Sequence, residues 1–238
     1  MNMEFVHKDL NTELDSLSSM QRGGLRLYEA PSGKLLPSVT TVVGFEKQAF
    51  FAEWRRKNPK EAKRVTARGT RLHTIIEHYL DNDFDAEDPQ SKSKVLPTDL
   101  ELFLLMRPHL DNINNIVAQE VPLWSEKVGL AGRVDCIAEY NGKLSVIDFK
   151  GSTREKREED IDNYFEQATA YAIMFAERTG ISIDNIVIII ASEDGTTQVF
   201  ERNPINYVKS LRNKILSFKE VYKYEFEHDR ELPEGEVV

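Results

Sequence analysis

The sequence GRVDCIAEYNGKLSVIDFKGS, residues 132–152, contains the pattern that decides the fold of this chain. Two runs rich in apolar and β-branched residues flank Asn141-Gly142, and an Asn-Gly pair between such runs is a strong short-range signal for a β-hairpin. A two-residue loop at this position predicts that Asp135 on the first strand lies directly opposite Asp148 on the second. The sequence therefore predicts a hairpin in which two carboxylates face each other.

The opposed aspartates raise the question of what stabilises them. Directly opposed side chains of antiparallel strands have Cβ atoms about 4.5–5.5 Å apart, and like charges there are destabilising. Lys150 lies two residues beyond Asp148 and is predicted on the same face of the strand, because side chains alternate between faces. The opposite face is predicted to carry the apolar residues Val134, Cys136, Ile147 and Phe149.

Three explanations for the aspartates are compatible with the sequence. The carboxylates are exposed to solvent, or they share a proton as paired carboxyl groups do, or a divalent cation binds both of them. Exposure is the least favoured, because the flanking runs are typical of inner strands. Lys150 favours the cation, since its ammonium group can interact with a water or a phosphate beside a metal.

The composition is typical of a globular protein with one domain. The chain has 238 residues, of which 40% are hydrophobic and 30% charged, as in ordinary α/β domains. Its longest strongly apolar run, residues 186–191, is too short to cross a bilayer, and the N-terminus lacks the apolar core of a signal peptide. The single cysteine, Cys136, excludes an intrachain disulfide and a cysteine-ligated zinc or iron–sulfur cluster. We therefore expect a cytoplasmic protein without a membrane partner.

Charge is unevenly distributed along the chain. The formal net charge of −9 by itself argues against a nucleic-acid partner, because phosphate binding requires positive surface. Residues 55–71, however, contain eight Lys or Arg and one Glu, whereas residues 220–238 contain seven acids and two Lys or Arg. Such a basic stretch is either a solvated helix face or a surface that guides a charged ligand. The net charge therefore does not exclude DNA.

Hydrophobic periodicity and turn residues predict helices and strands on both sides of the hairpin. An N-terminal hairpin is predicted at 25–36 and a loop at 82–96. Helices are predicted at 39–44, capped by Ser38, and at 47–57, 60–81, 98–118 (bent near Pro108), 161–179 and 203–224. Further strands are predicted at 119–125, 130–140, 143–150, 185–192 and 196–202. This order is typical of an α/β fold, a mixed sheet covered by helices.

The spacing of the acidic residues resembles a known signature. Asp135, followed thirteen positions later by Asp148-Phe149-Lys150, is similar to the PD-(D/E)XK nuclease motif, in which an acidic residue precedes a (D/E)-x-K triplet on the next strand. A D-x-K triplet alone is weak evidence, because it occurs by chance in many proteins.

Three further motifs occur in the expected order. Gly69 and His73 in RGTRLHTIIEHYL resemble the G-x-x-x-H motif of the RecB-like branch, and Gln167 and Tyr171 in EQATAYA resemble its Q-x-x-x-Y motif. The segments LPSVTTVVG and WRR resemble the N-terminal part of the mitochondrial genome maintenance exonuclease family and its phage and bacterial relatives. The chain is thus identified as a member of the RecB-like branch.

The resemblance implies a restriction-endonuclease-like core, a mixed β-sheet flanked by helices, with an N-terminal helical extension. We predict a single domain made of an extension at 1–59, a nuclease core at 60–224 and an acidic tail at 225–238.

The resemblance also implies a site for one Mg²⁺ or Mn²⁺. Its implied ligands are His73, Asp135, Asp148 and the backbone carbonyl of Phe149, and Lys150 is implied as the catalytic lysine beside the two catalytic aspartates. Glu120 is a further candidate catalytic acid. The residues expected to bind nucleic acid are Gln167, Tyr171, Arg68, Gly69 and Arg71.

The implied function is metal-dependent hydrolysis of DNA, and the members it resembles most favour ends of single-stranded DNA. Two alternatives stay open: an endonuclease or double-stranded DNA exonuclease with the same site, and a non-catalytic DNA-binding scaffold. We expect a monomer from a bacterium or phage that acts in DNA repair or recombination. Separate replication or recombination proteins are candidate partners, and a helicase motor would have to be one of these, since the chain has no P-loop motif.

Overall fold

A computed structural model describes residues 4–10, 14, 17–85, 87–89 and 95–222. Its helices are α1 Val39–Gly44, α2 Gln48–Lys57, α3 Pro59–Leu80, α4 Pro97–Leu110, α5 Asp162–Thr179 and α6 Val208–Val221. Its strands are β1 Ser19–Arg22, β2 Leu25–Glu29, β3 Leu35–Pro37, β4 Ile113–Ser125, β5 Leu130–Tyr140, β6 Lys143–Ser152, β7 Asn185–Ser192 and β8 Thr197–Arg202.

The strands form two sheets. The large sheet has the order β4-β5-β6-β7-β8; β6 and β7 are parallel, and the other neighbours are antiparallel. The small sheet, β1-β2-β3, is antiparallel. The predicted fold class, a mixed sheet flanked by helices with an N-terminal extension, is confirmed.

Local sequence explains where several elements begin and end. Asn141 and Gly142 both have positive φ, 50° and 77°, as a two-residue hairpin loop of the primed type requires. The hydroxyl of Ser38 accepts a hydrogen bond from the Thr41 amide at the start of α1, which satisfies an otherwise unpaired donor. Gly180 has φ of 74° and ends α5 in the left-handed conformation.

Helices cover both faces of the large sheet. On one face, α3 and α4 pack against Cys136, Ile147 and Val187, and we call this the α3 side. On the other, α1, α5 and α6 pack against Ile137 and Val146, and we call this the α5 side. Residues 186–191 of β7 are buried throughout, which explains their uninterrupted apolar sequence.

The helix predicted at 98–118 is wrong for its C-terminal part, beyond Leu110. The helix ends at Leu110 with Pro108 inside its last turn, and β4 begins at Ile113. Residues of this segment pair with β5, for example Ile113 with Tyr140, and bury Ile116 on the α3 side. Pairing with a distant strand therefore overrides the local helical pattern.

Three other features of the chain bear on the predictions. Strand β1, which pairs with β2, is not among the predicted elements. The predicted loop at 82–96, the end of the last predicted helix and the tail at 225–238 lie partly or wholly outside the described residues. None of the helices in the described part of the chain is long and apolar enough to cross a membrane.

Candidate metal centre

The β5–β6 hairpin has the predicted register but separates at the aspartates. The strands pair from Tyr140 with Lys143 to Cys136 with Ile147, and the pairing ends there. Beyond this point the Phe149 amide donates to the Asp135 carboxylate, at 2.9 Å, rather than to a backbone carbonyl. The prediction that the two aspartates form a directly opposed pair is therefore wrong, because the ladder ends one position earlier.

The alternation of side chains along β5 shifts at the same point. Val134 and Ile137 both lie on the α5 side, whereas Cys136 lies on the α3 side. The prediction that Val134 shares a face with Cys136 is therefore wrong. Asp135, between them, lies beside α3, since its Oδ2 atom is 3.7 Å from Nδ1 of His73.

A backbone irregularity in β4 accompanies this shift. Glu120 lies between Gln119 and Val121, which pair with the β5 residues on either side of Asp135. Its φ of 50° is in the left-handed region that non-glycine residues rarely adopt. Its carboxylate reaches His73, with 3.8 Å between Oε1 and Nδ1. The irregular backbone thus brings Glu120 to the imidazole.

His73, Glu120 and Asp135 form a compact group of potential metal ligands. One nitrogen or oxygen atom from each lies within 4.8 Å of the others. The backbone carbonyl of Phe149 adjoins the group, because it is 2.8 Å from Nε2 of His73. Three of the four implied ligands therefore lie together, with Glu120 as an additional carboxylate.

Asp148 is held on the α5 side of this group. Lys150 Nζ lies 2.7 Å from both of its carboxylate oxygens, and the Gln167 amide donates to Oδ1 at 3.1 Å. Tyr171 interacts with Gln167 in turn, so the two residues, one helical turn apart, support Asp148 from α5. Both are almost fully buried.

Burial and the nearby acidic groups shift the pKa values of the titratable residues in the site. Burial lowers the pKa of His73, but the nearby carboxylates of Asp135 and Glu120 outweigh it, and the pKa rises to about 9. Burial raises the pKa of Asp148, although the Lys150 ammonium opposes the shift. Burial lowers the pKa of Lys150, but Asp148 and Asp135 outweigh it, so that this pKa is raised. The site therefore attracts positive charge.

The donor set fits a divalent cation. Carboxylate and carbonyl oxygens are the ligands that Mg²⁺ and Mn²⁺ prefer, and one imidazole nitrogen joins them here. Among the described residues, the buried Oδ2 atom of Asp148 has no hydrogen-bond donor beyond its ion pair with Lys150. A buried carboxylate oxygen of this kind has coordination capacity left for a metal.

The residues predicted to bind nucleic acid occupy different environments. Arg68 is buried and forms an ion pair with Glu193, and Arg71 forms one with the buried Asp99. Gly69, in α3, has no atom within 4 Å of the position that a Cβ would take. The direct contact of these three residues with DNA stays a prediction.

Two residues that sequence reasoning missed contact the site. The Lys150 ammonium lies 5.3 Å from the centre of the Tyr164 ring, a cation–π distance. A Cβ at Gly132 would lie 2.9 Å from the Tyr171 hydroxyl, so only glycine fits there without a shift. The sequence signal for Tyr164 is its position three residues before Gln167, near the same helix face.

The mixed sheet, its separated central strands and the Asp-x-Lys triplet define the class of this protein. The chain belongs to the PD-(D/E)XK nuclease superfamily, whose family model matches residues 46–195. This range contains all the site residues named above.

Two curated relatives are similar in sequence to parts of this chain. The chain is 28% identical over 187 residues to the human protein mitochondrial genome maintenance exonuclease 1, covering 68% of this chain and 51% of the relative. It is 34% identical over 92 residues to the mouse protein of the same name, covering 37% of this chain and 27% of the relative. The chain thus spans at most about half the length of these curated relatives.

A solved structure from Eubacterium rectale, described as a candidate exonuclease, is also similar. Its TM-score is 0.47 at 12% sequence identity, and the match covers 73% of this chain and 77% of that chain.

Proposed function

We propose that this chain is a metal-dependent deoxyribonuclease that degrades single-stranded DNA from an end. The observation that carries the proposal is the convergence of His73, Glu120 and Asp135 on the Phe149 carbonyl, beside a lysine that contacts Asp148. The exonuclease names of the human and mouse relatives support action at a strand end.

The residues have distinct proposed roles. His73, Glu120, Asp135 and the Phe149 carbonyl would hold one Mg²⁺ or Mn²⁺, and Asp148 would contribute Oδ2, which has no hydrogen-bond donor beyond its ion pair with Lys150. A bound divalent cation supplies Lewis acidity at the scissile phosphate. The negative carboxylates also neutralise the charge of the cation, as in other oxygen-rich metal sites.

Lys150 is proposed to act on the phosphate. Its Nζ is fixed between the Asp148 carboxylate and the face of the Tyr164 ring. An ammonium group held there orients the attacking water and offsets the negative charge that develops on the phosphorus oxygens, which is a large contribution in a site that excludes water.

Gln167 and Tyr171 are proposed as positioning residues. The Gln167 amide fixes the Asp148 carboxylate, and the Tyr171 hydroxyl is packed tightly against Gly132 of β5. They therefore connect α5 to both separated strands and maintain the gap in which the metal ligands lie.

The test uses end-labelled linear single strands, circular single strands and linear duplexes, each with Mg²⁺, Mn²⁺ or EDTA. We expect cleavage of linear single strands that requires a metal, and intact circles. Absence of metal-dependent cleavage of any substrate would contradict the nuclease proposal. Cleavage of circles would contradict action at an end, and faster cleavage of duplexes would contradict the strand preference.

A further inference from the structure

Helix α2 exposes two aromatic rings next to each other. Phe50 is 67% exposed and Phe51 is 45% exposed, and their ring centroids lie 5.4 Å apart. Single apolar residues scattered over a surface are common. Two adjacent exposed phenylalanines in a groove instead indicate a surface that contacts a ligand.

The two rings line a groove that adjoins the candidate metal centre at Tyr164. One part of the groove, with a volume of about 840 Å³, lies between α2 and residues 154–157. A second part, of about 580 Å³, shares both phenylalanines and extends to Gly151. Tyr164 borders both parts, and its ring is the one that faces the Lys150 ammonium. The groove therefore reaches Tyr164, whose ring contacts the ammonium group of the proposed catalytic lysine.

Basic side chains border the same groove. Arg55, Arg154 and Lys156 line it, and none of the three forms an ion pair within the described part of the chain. Arg157, by contrast, is paired with Asp160 and Glu159. Arg55 and Arg154 are thus left for a ligand of opposite charge, whereas Lys156 lies near Asp160, which also lines the groove.

The segment that carries two of these charges is fixed to the sheet. The Lys156 amide donates to the Gln198 side chain, and the Gln198 amide donates back to the Lys156 carbonyl. The Glu155 amide donates to Asp194 in the β7–β8 turn. The backbone beneath Arg154 and Lys156 is therefore held in place before any ligand binds, which lowers the entropy cost of binding.

We propose that this groove binds the single strand of DNA that leads into the active site, with unpaired bases stacked on Phe50 and Phe51. Arg55, Arg154 and Lys156 contact the phosphates. Aromatic rings interspersed with positive charges are how proteins bind single strands without sequence preference. A duplex does not fit this description, because the faces of its bases are covered by their neighbours. The inference deepens the proposed function and rests on it.

The test measures equilibrium binding by fluorescence anisotropy, in EDTA, so that no cleavage occurs. The probes are an oligothymidine and a strand of equal length made of abasic nucleotides. We expect Phe50→Ala/Phe51→Ala to weaken oligothymidine binding about 5- to 150-fold, the range for one stacked base. The same variant is expected to bind the abasic strand as wild type does. Phe50→Tyr/Phe51→Tyr, which retains both rings, is expected to bind both probes like wild type.

Matched controls separate stacking from general effects. Leu216→Ala removes an exposed apolar side chain from α6, outside the groove, and should leave binding unchanged. Arg154→Ala/Lys156→Ala should weaken binding of both probes. It should also reduce the salt dependence of binding. The slope of the logarithm of the binding constant against the logarithm of the salt concentration should become shallower by about 0.7 for each phosphate that the variant no longer neutralises.

Unchanged oligothymidine affinity in the alanine double variant would overturn the inference, and so would an equal weakening on the abasic strand. A wild-type protein that binds oligothymidine through the rings but never cleaves DNA with any metal would contradict the proposed function and leave the groove assignment standing. The two failures are therefore distinguishable.

Discussion

At the scale of single residues, Glu120 shows how strain accompanies the site. A left-handed backbone conformation costs a residue with a Cβ about 1–2 kcal/mol, and such costs persist where the surrounding structure over-determines them. Here β4 pairs with β5 on both sides of Glu120, and Arg133 donates to its carbonyl. The surrounding pairing thus holds a strained backbone that directs a carboxylate to His73.

The positive φ of Glu120 predicts that glycine is more stabilising than alanine at position 120, the reverse of the usual order in a strand. Glu120→Gly is expected to be more stable than Glu120→Ala by about 1 kcal/mol, because glycine adopts positive φ without a steric penalty. Chemical denaturation measures the free energy of unfolding of both variants. At the control position Lys143, an exposed strand residue without positive φ, alanine should be the more stable. A Glu120→Ala protein as stable as Glu120→Gly would show that the conformation carries no strain.

At the scale of elements, arginines attach α3 to its neighbours. Arg64 and Arg68 both form ion pairs with Glu193, at the start of the β7–β8 turn, and Arg71 forms one with Asp99 of α4. Because α3 carries His73, these contacts fix the imidazole relative to the sheet. Part of the basic stretch at 55–71 therefore has a structural role.

The Glu193 contacts predict a pH-dependent stability. Hydrogen bonds from Arg64 and Arg68 lower the pKa of Glu193, so its contribution is present above the ordinary glutamate pKa and is lost as pH falls through the lowered value. We expect Glu193→Gln to lower the free energy of unfolding by about 1–3 kcal/mol at pH 7. The difference from wild type should shrink as the pH falls below the ordinary glutamate pKa and through the lowered pKa of Glu193.

Denaturation curves at a series of pH values test this prediction. Glu101→Gln, an exposed residue of α4, is the control and should follow wild type at each pH. If Glu193→Gln lowers the free energy of unfolding by the same amount at pH 3 and pH 7, the charge of Glu193 does not contribute to stability.

At the scale of the whole molecule, local signals predicted much of the fold. The Asn141-Gly142 turn, the apolar β7 and the glycine after α5 are properties of short segments, and their elements lie where they were predicted. The start of β4 and the irregular backbone at Glu120 depend on pairing between segments far apart in the chain. No local pattern contains that information.

The candidate site likewise has features that the sequence predicted and features that depend on tertiary packing. Motif spacing identified the residues that converge at the separated strands, because each motif residue occupies a fixed position on its element. The protein partners of Arg68 and Arg71, and the contact of Tyr164 with Lys150, depend on tertiary packing. Charge alone therefore did not distinguish arginines that support α3 from side chains that remain available for a ligand.

The central claim is that the acidic site and Lys150 hydrolyse DNA when a divalent metal is present. Its most direct test is the single-turnover cleavage rate of end-labelled linear single-stranded DNA, measured for wild type, Lys150→Ala and the exposed-strand control Lys143→Ala. Circular dichroism establishes that each variant is folded. We predict cleavage by wild type and Lys143→Ala with Mg²⁺ or Mn²⁺, none in EDTA, and a rate at least about 100-fold lower for Lys150→Ala. Cleavage in EDTA, or a Lys150→Ala rate equal to that of wild type, would contradict the claim.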